Sequence, residues 1–261
     1  MMLNAFLPIL SHRRGKNNPQ FEGRKGKWGK QESGWESGGF DRTGGACYTL
    51  SIEKREVFGL LPKGFVYLDE AVPGVLWDAK YAGCDNFVGE PVDGYRTGRV
   101  VGTEELATAL RQAYELAKEA GCGLMLWDAY RPQQAVDHFI RFCAAPETGK
   151  TKEKHYPNVD KAQLIPLGYI AARSGHSRGS TIDLTLTDAQ GKLLDMGGIF
   201  DYMDERSHHG CPDISKEQAD NRALLRDIML RCGFTDYKNE WWHYRLRNEP
   251  YPDTYFDFPI E

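Results

Sequence analysis

Between residues 180 and 186 the chain alternates strictly. Ile182, Leu184 and Leu186 fall on one side of an extended backbone, Thr181, Asp183 and Thr185 on the other. Alternation of period two predicts a β-strand with its apolar side on a core, and this places Asp183 on the opposite, polar face of a rigid element. Residues 65–68 and 124–127 predict two shorter strands, and residues 240–246 a final one. Helical spacing is carried by Leu106, Leu110, Ala113, Leu116, Ala117 and Ala120, with Thr103 as N-cap and Gly121 at the C-terminal end. Pro132 opens a second helix through Ala135, Val136, Phe139, Ile140 and Cys143. A third begins at a capping box, Ser215 with Gln218, buries Leu225, Ile228, Met229 and Cys232, and stops at Gly233. Residues 236–239 are polar enough to be a turn, and the lysine-bearing stretch 146–160 reads as a loop that includes His155. Strands and helices in this mixed order, without an internal repeat, predict an α+β fold: a small, mainly antiparallel sheet with helices packed on one face.

Residues 1–46 do not share this patterning. They hold eight Lys/Arg against four Asp/Glu and nine glycines, with almost no periodic apolar positions after Leu10. Such a segment buries too little surface to offset its ordering entropy, which predicts a disordered basic tail. Its lysines and arginines also suit an arm for an anionic partner, but nothing specifies one. Residues 47–261 are expected to form the single folded domain, a size that sustains one core.

A composition of 41% apolar and 27% charged residues excludes wholesale disorder, and a net charge of −4 gives no basic excess for nucleic acid. The six cysteines are scattered, with no Cys-x-x-Cys pair, and predict free thiols in a reducing compartment, not a disulfide framework or a zinc–thiolate site. No stretch reaches the ~20 apolar residues of a membrane span. The apolar run at residues 5–10 precedes Arg13 and Arg14, the wrong polarity for a secretory signal. A cytoplasmic protein is expected, without membrane contact, and a homo-oligomer is left open.

The candidate chemistry surrounds the central strand. His176 lies on a glycine-flanked loop that leads into it, seven positions before Asp183. An imidazole and a carboxylate aimed at one point make two-thirds of a catalytic zinc site. His243 supplies the missing third and leaves one position for water. Glu240, three residues earlier, is the natural base for that water. Residues three apart on a regular strand face opposite ways, so Glu240 and His243 converge only if Glu240 sits at a strand start or a bulge.

The run Ser174-Gly175-His176-Ser177-Arg178-Gly179 continuing to Asp183, with Glu240-Trp241-Trp242-His243, resembles the VanX-type D-alanyl-D-alanine dipeptidases, zinc enzymes of the hedgehog/DD-peptidase group. The likeness extends from about residue 61 to 258. It includes Trp77-Asp78-Ala79-Lys80-Tyr81, Asp85-Asn86-Phe87, Pro91-Val92-Asp93-Gly94-Tyr95, Asp128-Ala129-Tyr130-Arg131-Pro132 and residues 203–209. The resemblance implies the same α+β fold, one Zn²⁺ held by His176, Asp183 and His243, and Glu240 as catalytic base. It also implies Arg131 as the charge that stabilises the tetrahedral intermediate, and D-Ala-D-Ala as substrate. About sixty residues at the front have no counterpart in it.

Other positions carry weaker readings. Tyr81, Ser174 and Asp201 are candidates for holding the dipeptide. A free ammonium needs a carboxylate or carbonyl acceptor, which Asp201, Asp195 or Asp204 could equally supply. Asp128 is placed to orient Arg131 and is a further substrate-binding candidate. His208 and His209 diverge on extended backbone and do not suit one metal. His138 reads as a packing or surface histidine, and Trp241 and Trp242 as core or pocket wall. Two other readings remain: a zinc D,D-carboxypeptidase or endopeptidase acting on peptidoglycan peptides, and a zinc-bearing binding module of the same fold without catalysis.

Overall fold

The computed structural model describes residues 61–261, so the predicted tail, Cys47 and the boundary at residues 46–47 lie outside the described residues. Its centre is a five-stranded sheet in the order β2-β4-β5-β7-β6. The strands are β2 (Leu76–Trp77), β4 (Gly123–Asp128), β5 (Thr181–Thr187), β6 (Phe234–Tyr237) and β7 (Glu240–Leu246). Only the β2–β4 pair is parallel; the three other pairings are antiparallel. β1 (Phe65–Tyr67) and β3 (Val101–Thr103) form a separate antiparallel ribbon. The α+β class and the mainly antiparallel sheet expected from the sequence are therefore present.

Two long helices cover one side of the sheet. α2 (Glu104–Glu119) starts where the Thr103 side chain accepts from the Leu106 backbone N–H at 3.2 Å. α5 (Lys216–Arg231) starts at the capping box of Ser215 and Gln218. The two helices pack on each other; α2 also lies on β4, and α5 on β5, β6 and β7. Leu106, Leu110, Leu225 and Met229 are fully buried against the apolar side of the sheet, which presents Leu124, Leu126, Ile182, Leu184 and Leu186. The shorter helices are α1 (Leu68–Ala71), α3 (Gln133–Ala144) and α4 (Lys152–His155).

Four local expectations are corrected. The strand predicted at residues 65–68 ends at Tyr67, because Leu68 opens α1. Residues 234–237 form strand β6, so the turn shrinks to Lys238 and Asn239. His155 is not on a loop: it ends helix α4 and is buried. The polar side of β5 is also covered, since all seven of its residues are buried. No helix among the described residues is long and apolar enough to cross a membrane. Cys84, Cys122, Cys143, Cys211 and Cys232 are all free.

Candidate active site

Strand pairing brings the first two site residues together. The β5–β7 register sets Asp183 directly opposite His243, and their Oδ1 and Nδ1 atoms lie 3.0 Å apart. His176 arrives from a single tight turn, Gly175–Arg178, which Ser174 opens by accepting the His176 backbone N–H at 3.2 Å. Gly179 ends that turn at φ 83°, where a side chain is strained, and any Cβ there would strike the Phe65 ring. Glycine is thus what lets the turn run straight into β5. The His176 Nε2 comes to rest 3.3 Å from His243 Nδ1 and 3.3 Å from Asp183 Oδ2.

The donor set fits a metal ion. His176 Nδ1 lies 2.7 Å from the Ala129 carbonyl, an atom that only accepts, so Nδ1 carries the ring proton and Nε2 presents a lone pair. That lone pair faces a carboxylate oxygen and a second imidazole nitrogen, all three within 4.8 Å of one another. Two imidazoles and a carboxylate with an outer-sphere carbonyl on one ring make a borderline-soft site of the kind that suits a divalent transition metal or zinc. These are the three residues the sequence singled out for that role.

Glu240 and His243 do converge, and the backbone shows how. Glu240 is the first residue of β7 and pairs with Tyr237, whereas Asp236 pairs with Tyr244. Three residues of β7 are therefore extra to the β6 ladder. This bulge cancels the alternation and leaves Glu240 Oε2 3.6 Å from His243 Nδ1. Burial, then the negative charges of Asp183 and Asp201, raise the Glu240 carboxyl well above its ordinary range. Burial alone would raise Asp183 too, but the His176 and His243 rings outweigh it and hold that carboxylate below its usual range.

Arg131 sits at the end of β4, where its Nε donates to Asp128 Oδ2 at 2.9 Å and its Nη2 stands 3.5 Å from Asp183 Oδ2. Tyr95 donates to the other Asp128 oxygen at 2.7 Å. Burial works against the Arg131 charge, but the acidic groups around it prevail and raise its pKa further above the ordinary value. It is a permanent cation beside the triad.

A cavity of about 250 Å³ opens over these groups. Arg131, His176, Asp183, Glu240 and His243 line it, as do Tyr81, Ser174 and Asp201. Tyr81 donates to Asp201 Oδ2 at 2.7 Å. Asp201 holds a left-handed backbone at φ 56°, and burial pushes its carboxyl up to about 7. The alternatives to Asp201 are elsewhere: Asp195 bonds Gln218 and the Gly197 N–H, and Asp204 bonds Asn158. Asp128 is not part of the lining. It is buried behind Arg131 with both oxygens engaged, which corrects its place among the substrate-binding candidates.

Sequence reasoning missed the aromatic walls. Tyr169 and Tyr237 line the cavity with Phe87 and Phe139. Tyr237 ends β6 three residues before Glu240 of the recognised Glu240–His243 motif, a proximity that was available as a signal. Tyr169 lies in an irregular segment with no periodicity to mark it. His208 and His209 are outside this lining, and His138 pairs with Glu90 and Asp93 at the surface.

The α+β fold holds a cavity in which a His/Asp/His cluster, a glutamate and a fixed cation converge, a combination that suits a metallopeptidase. Residues 62–261 match the family model described as D-Ala-D-Ala dipeptidase, and the chain belongs to that family. The D-alanyl-D-alanine dipeptidase of Streptomyces coelicolor is 56% identical over 197 residues, covering 75% of this chain and 98% of the relative. That of Enterococcus faecalis is 56% identical over 201 residues, covering 77% of this chain and all of the relative. The Escherichia coli enzyme of the same name is 37% identical over 174 residues, covering 67% and 80%.

Proposed function

We propose that the chain hydrolyses the dipeptide D-Ala-D-Ala to free D-alanine with one zinc ion held by His176 Nε2, an Asp183 oxygen and His243 Nδ1. The supporting observation is the convergence of these three atoms within 4.8 Å, beneath a cavity that Glu240 and Arg131 also line. Bound there, zinc supplies a Lewis acid that polarises the peptide carbonyl and makes water acidic at neutral pH. Glu240 takes the proton of the attacking water and delivers it to the departing amine; its raised proton affinity suits both halves of that task. Arg131 faces the carbonyl oxygen as negative charge develops on it, which favours the transition state over the bound dipeptide. Tyr81, Asp201 and Ser174 hold the ends of the dipeptide. The Asp201 carboxylate is the acceptor for the ammonium, since neither Asp195 nor Asp204 lines the cavity.

Residues 47–261 are proposed as the catalytic domain, with 1–46 as an appended tail; the family match beginning at residue 62 supports this division. A cytoplasmic location is proposed as well, supported by the five free cysteines among the described residues. The test couples metal analysis with hydrolysis of D-Ala-D-Ala and of an acyl-D-Ala-D-Ala peptide, with and without a chelator. The expected result is about one zinc per chain and cleavage of the free dipeptide alone, lost with the chelator and restored by zinc. Cleavage of the acylated peptide would indicate a carboxypeptidase instead. A metal-loaded protein that cleaves neither would be a binding module.

A further inference from the structure

The turn that carries His176 is gripped by the segment that follows β7. Arg178, the last residue of the turn, donates from Nε and Nη2 to the two carboxylate oxygens of Glu249 at 2.7 and 2.9 Å. Its Nη1 donates to the Tyr255 hydroxyl at 3.2 Å. Both side chains of the Arg178–Glu249 fork are only 9% exposed. One residue earlier, the Ser177 carbonyl accepts the Phe256 backbone N–H at 2.8 Å. The gripping segment is itself tied at both ends. The Arg247 N–H donates to the Gly233 carbonyl at 3.0 Å, and the Phe256 carbonyl accepts from the Gln133 N–H at 3.1 Å.

A bidentate guanidinium–carboxylate fork fixes direction as well as distance. A buried ion pair adds little to stability over a well-packed apolar pair of similar volume, so what this fork contributes is geometry. The turn has need of it. Asp183 is held in ladder pairings on both sides of β5, and His243 lies within β7, but His176 stands outside the sheet. Its turn is four residues long, and its internal backbone bonds are few: the Ser177 N–H to the Ser174 carbonyl and the Gly179 N–H to the His176 carbonyl. The residues after β4 hold His176 itself, through the Ala129 carbonyl on the ring and the Arg131 N–H on the His176 carbonyl. The two residues that follow it, Ser177 and Arg178, are held by the C-terminal segment.

We propose that Glu249 is a positioning residue for the metal centre: its fork with Arg178 fixes the turn that presents His176 Nε2, and thereby sets the affinity of the site for zinc. This rests on the reading of His176, Asp183 and His243 as the zinc ligands. Neither Glu249 nor Arg178 lines the catalytic cavity, so Glu249 acts on the metal only through Arg178 and the backbone of the turn.

The test is the zinc dissociation constant of the full chain, measured by competition with a chromophoric chelator well below the Tm of each variant. Glu249→Gln keeps the side-chain shape and loses the charge; Arg178→Lys keeps the charge and loses the fork. The double variant Arg178→Met with Glu249→Leu replaces the pair by apolar groups and leaves no buried charge unpaired, so it tests the proposal even where a single variant fails to fold. Each is expected to bind zinc about tenfold more weakly, at the lower end of the roughly 10–100-fold effect of outer partners on metal sites. Asp69→Asn is the structural control. It breaks the 2.7 Å ion pair with Arg99, two residues that do not line the cavity, and should lower Tm without changing zinc affinity. The proposal is overturned if the folded fork variants bind zinc as tightly as the wild type, or if Asp69→Asn weakens binding as much as they do. A wild type that binds zinc no more tightly than His176→Ala would overturn the ligand assignment itself, and the role of Glu249 with it.

Discussion

Arg131 and Asp128 are joined by a hydrogen bond of 2.9 Å from Nε to Oδ2, and the carboxylate is itself held by Tyr95 from the other side. The guanidinium is thereby fixed before any substrate arrives, its Nη2 directed toward Asp183. A preorganised charge of this kind is worth most where charge develops during reaction. Arg131→Ala is expected to lower kcat by roughly 10²–10³-fold with a smaller change in KM. Asp128→Asn, which keeps an acceptor but removes the charge, should lower kcat less than Arg131→Ala. Steady-state kinetics on D-Ala-D-Ala decide this; an effect on KM alone would make Arg131 a binding residue.

Glu240 lines the same cavity as the His/Asp/His cluster and does not belong to the cluster itself. Glu240→Gln keeps the side-chain shape and removes the proton acceptor. The variant is expected to retain its zinc, measured by atomic absorption, while kcat falls by roughly 10²–10⁴-fold. Asp183→Ala should do the reverse in the metal assay, losing zinc on dialysis. A fully active, metal-replete Glu240→Gln protein would remove Glu240 from the reaction.

The turn before β5 has little tolerance. Gly179 stands at φ 83°, and an added Cβ would meet Phe65 and Thr103, whose side chain also bonds Ser180 Oγ at 2.8 Å. Gly179→Ala is expected to destabilise the domain by about 1–3 kcal/mol through backbone strain and this collision, and to shift the turn that carries His176. A thermal scan of the zinc-loaded variant should show a lower Tm. An unchanged Tm would mean that the Phe65 ring relaxes at no cost.

Much of this site was legible in the chain because it rides on regular elements. The alternation through Ile182, Leu184 and Leu186 fixed the side on which Asp183 lies, and capping residues fixed the starts of α2 and α5. The residues proposed as metal ligands and base were also carried by short motifs. What could not be read is where irregular backbone decides. No local pattern announces the three extra residues of β7 that turn Glu240 toward His243; the sequence offered only the condition that such a bulge or strand start be there. Asp128 was counted among the substrate-binding candidates, but it lies buried behind Arg131 with both oxygens engaged, while Arg131, three residues past the end of β4, lines the cavity. His155 looked uninformative within a lysine-rich stretch, and only tertiary packing of α4 against the Asp201 segment buries it.

That buried His155 makes stability depend on pH. Burial lowers its pKa from an ordinary 6.5 to about 4, so at neutral pH the ring is uncharged in both folded and unfolded chains and costs nothing. As the pH falls below 6.5, the unfolded chain takes up a proton that the folded one refuses, and stability is lost. The loss levels off near pH 4, where the folded ring protonates as well, and by then reaches on the order of 3 kcal/mol. His209, lowered to about 4 mainly by burial, acts in the same direction. His155→Asn places an amide N–H where Nδ1 donated and does not titrate, so it should flatten this part of the profile without affecting the His209 part. Urea unfolding at pH 7.0, 5.5 and 4.5 measures the difference. The wild type is expected to lose more stability than the variant over this interval, and parallel profiles would show that His155 takes up its proton in the folded protein as readily as in the unfolded chain.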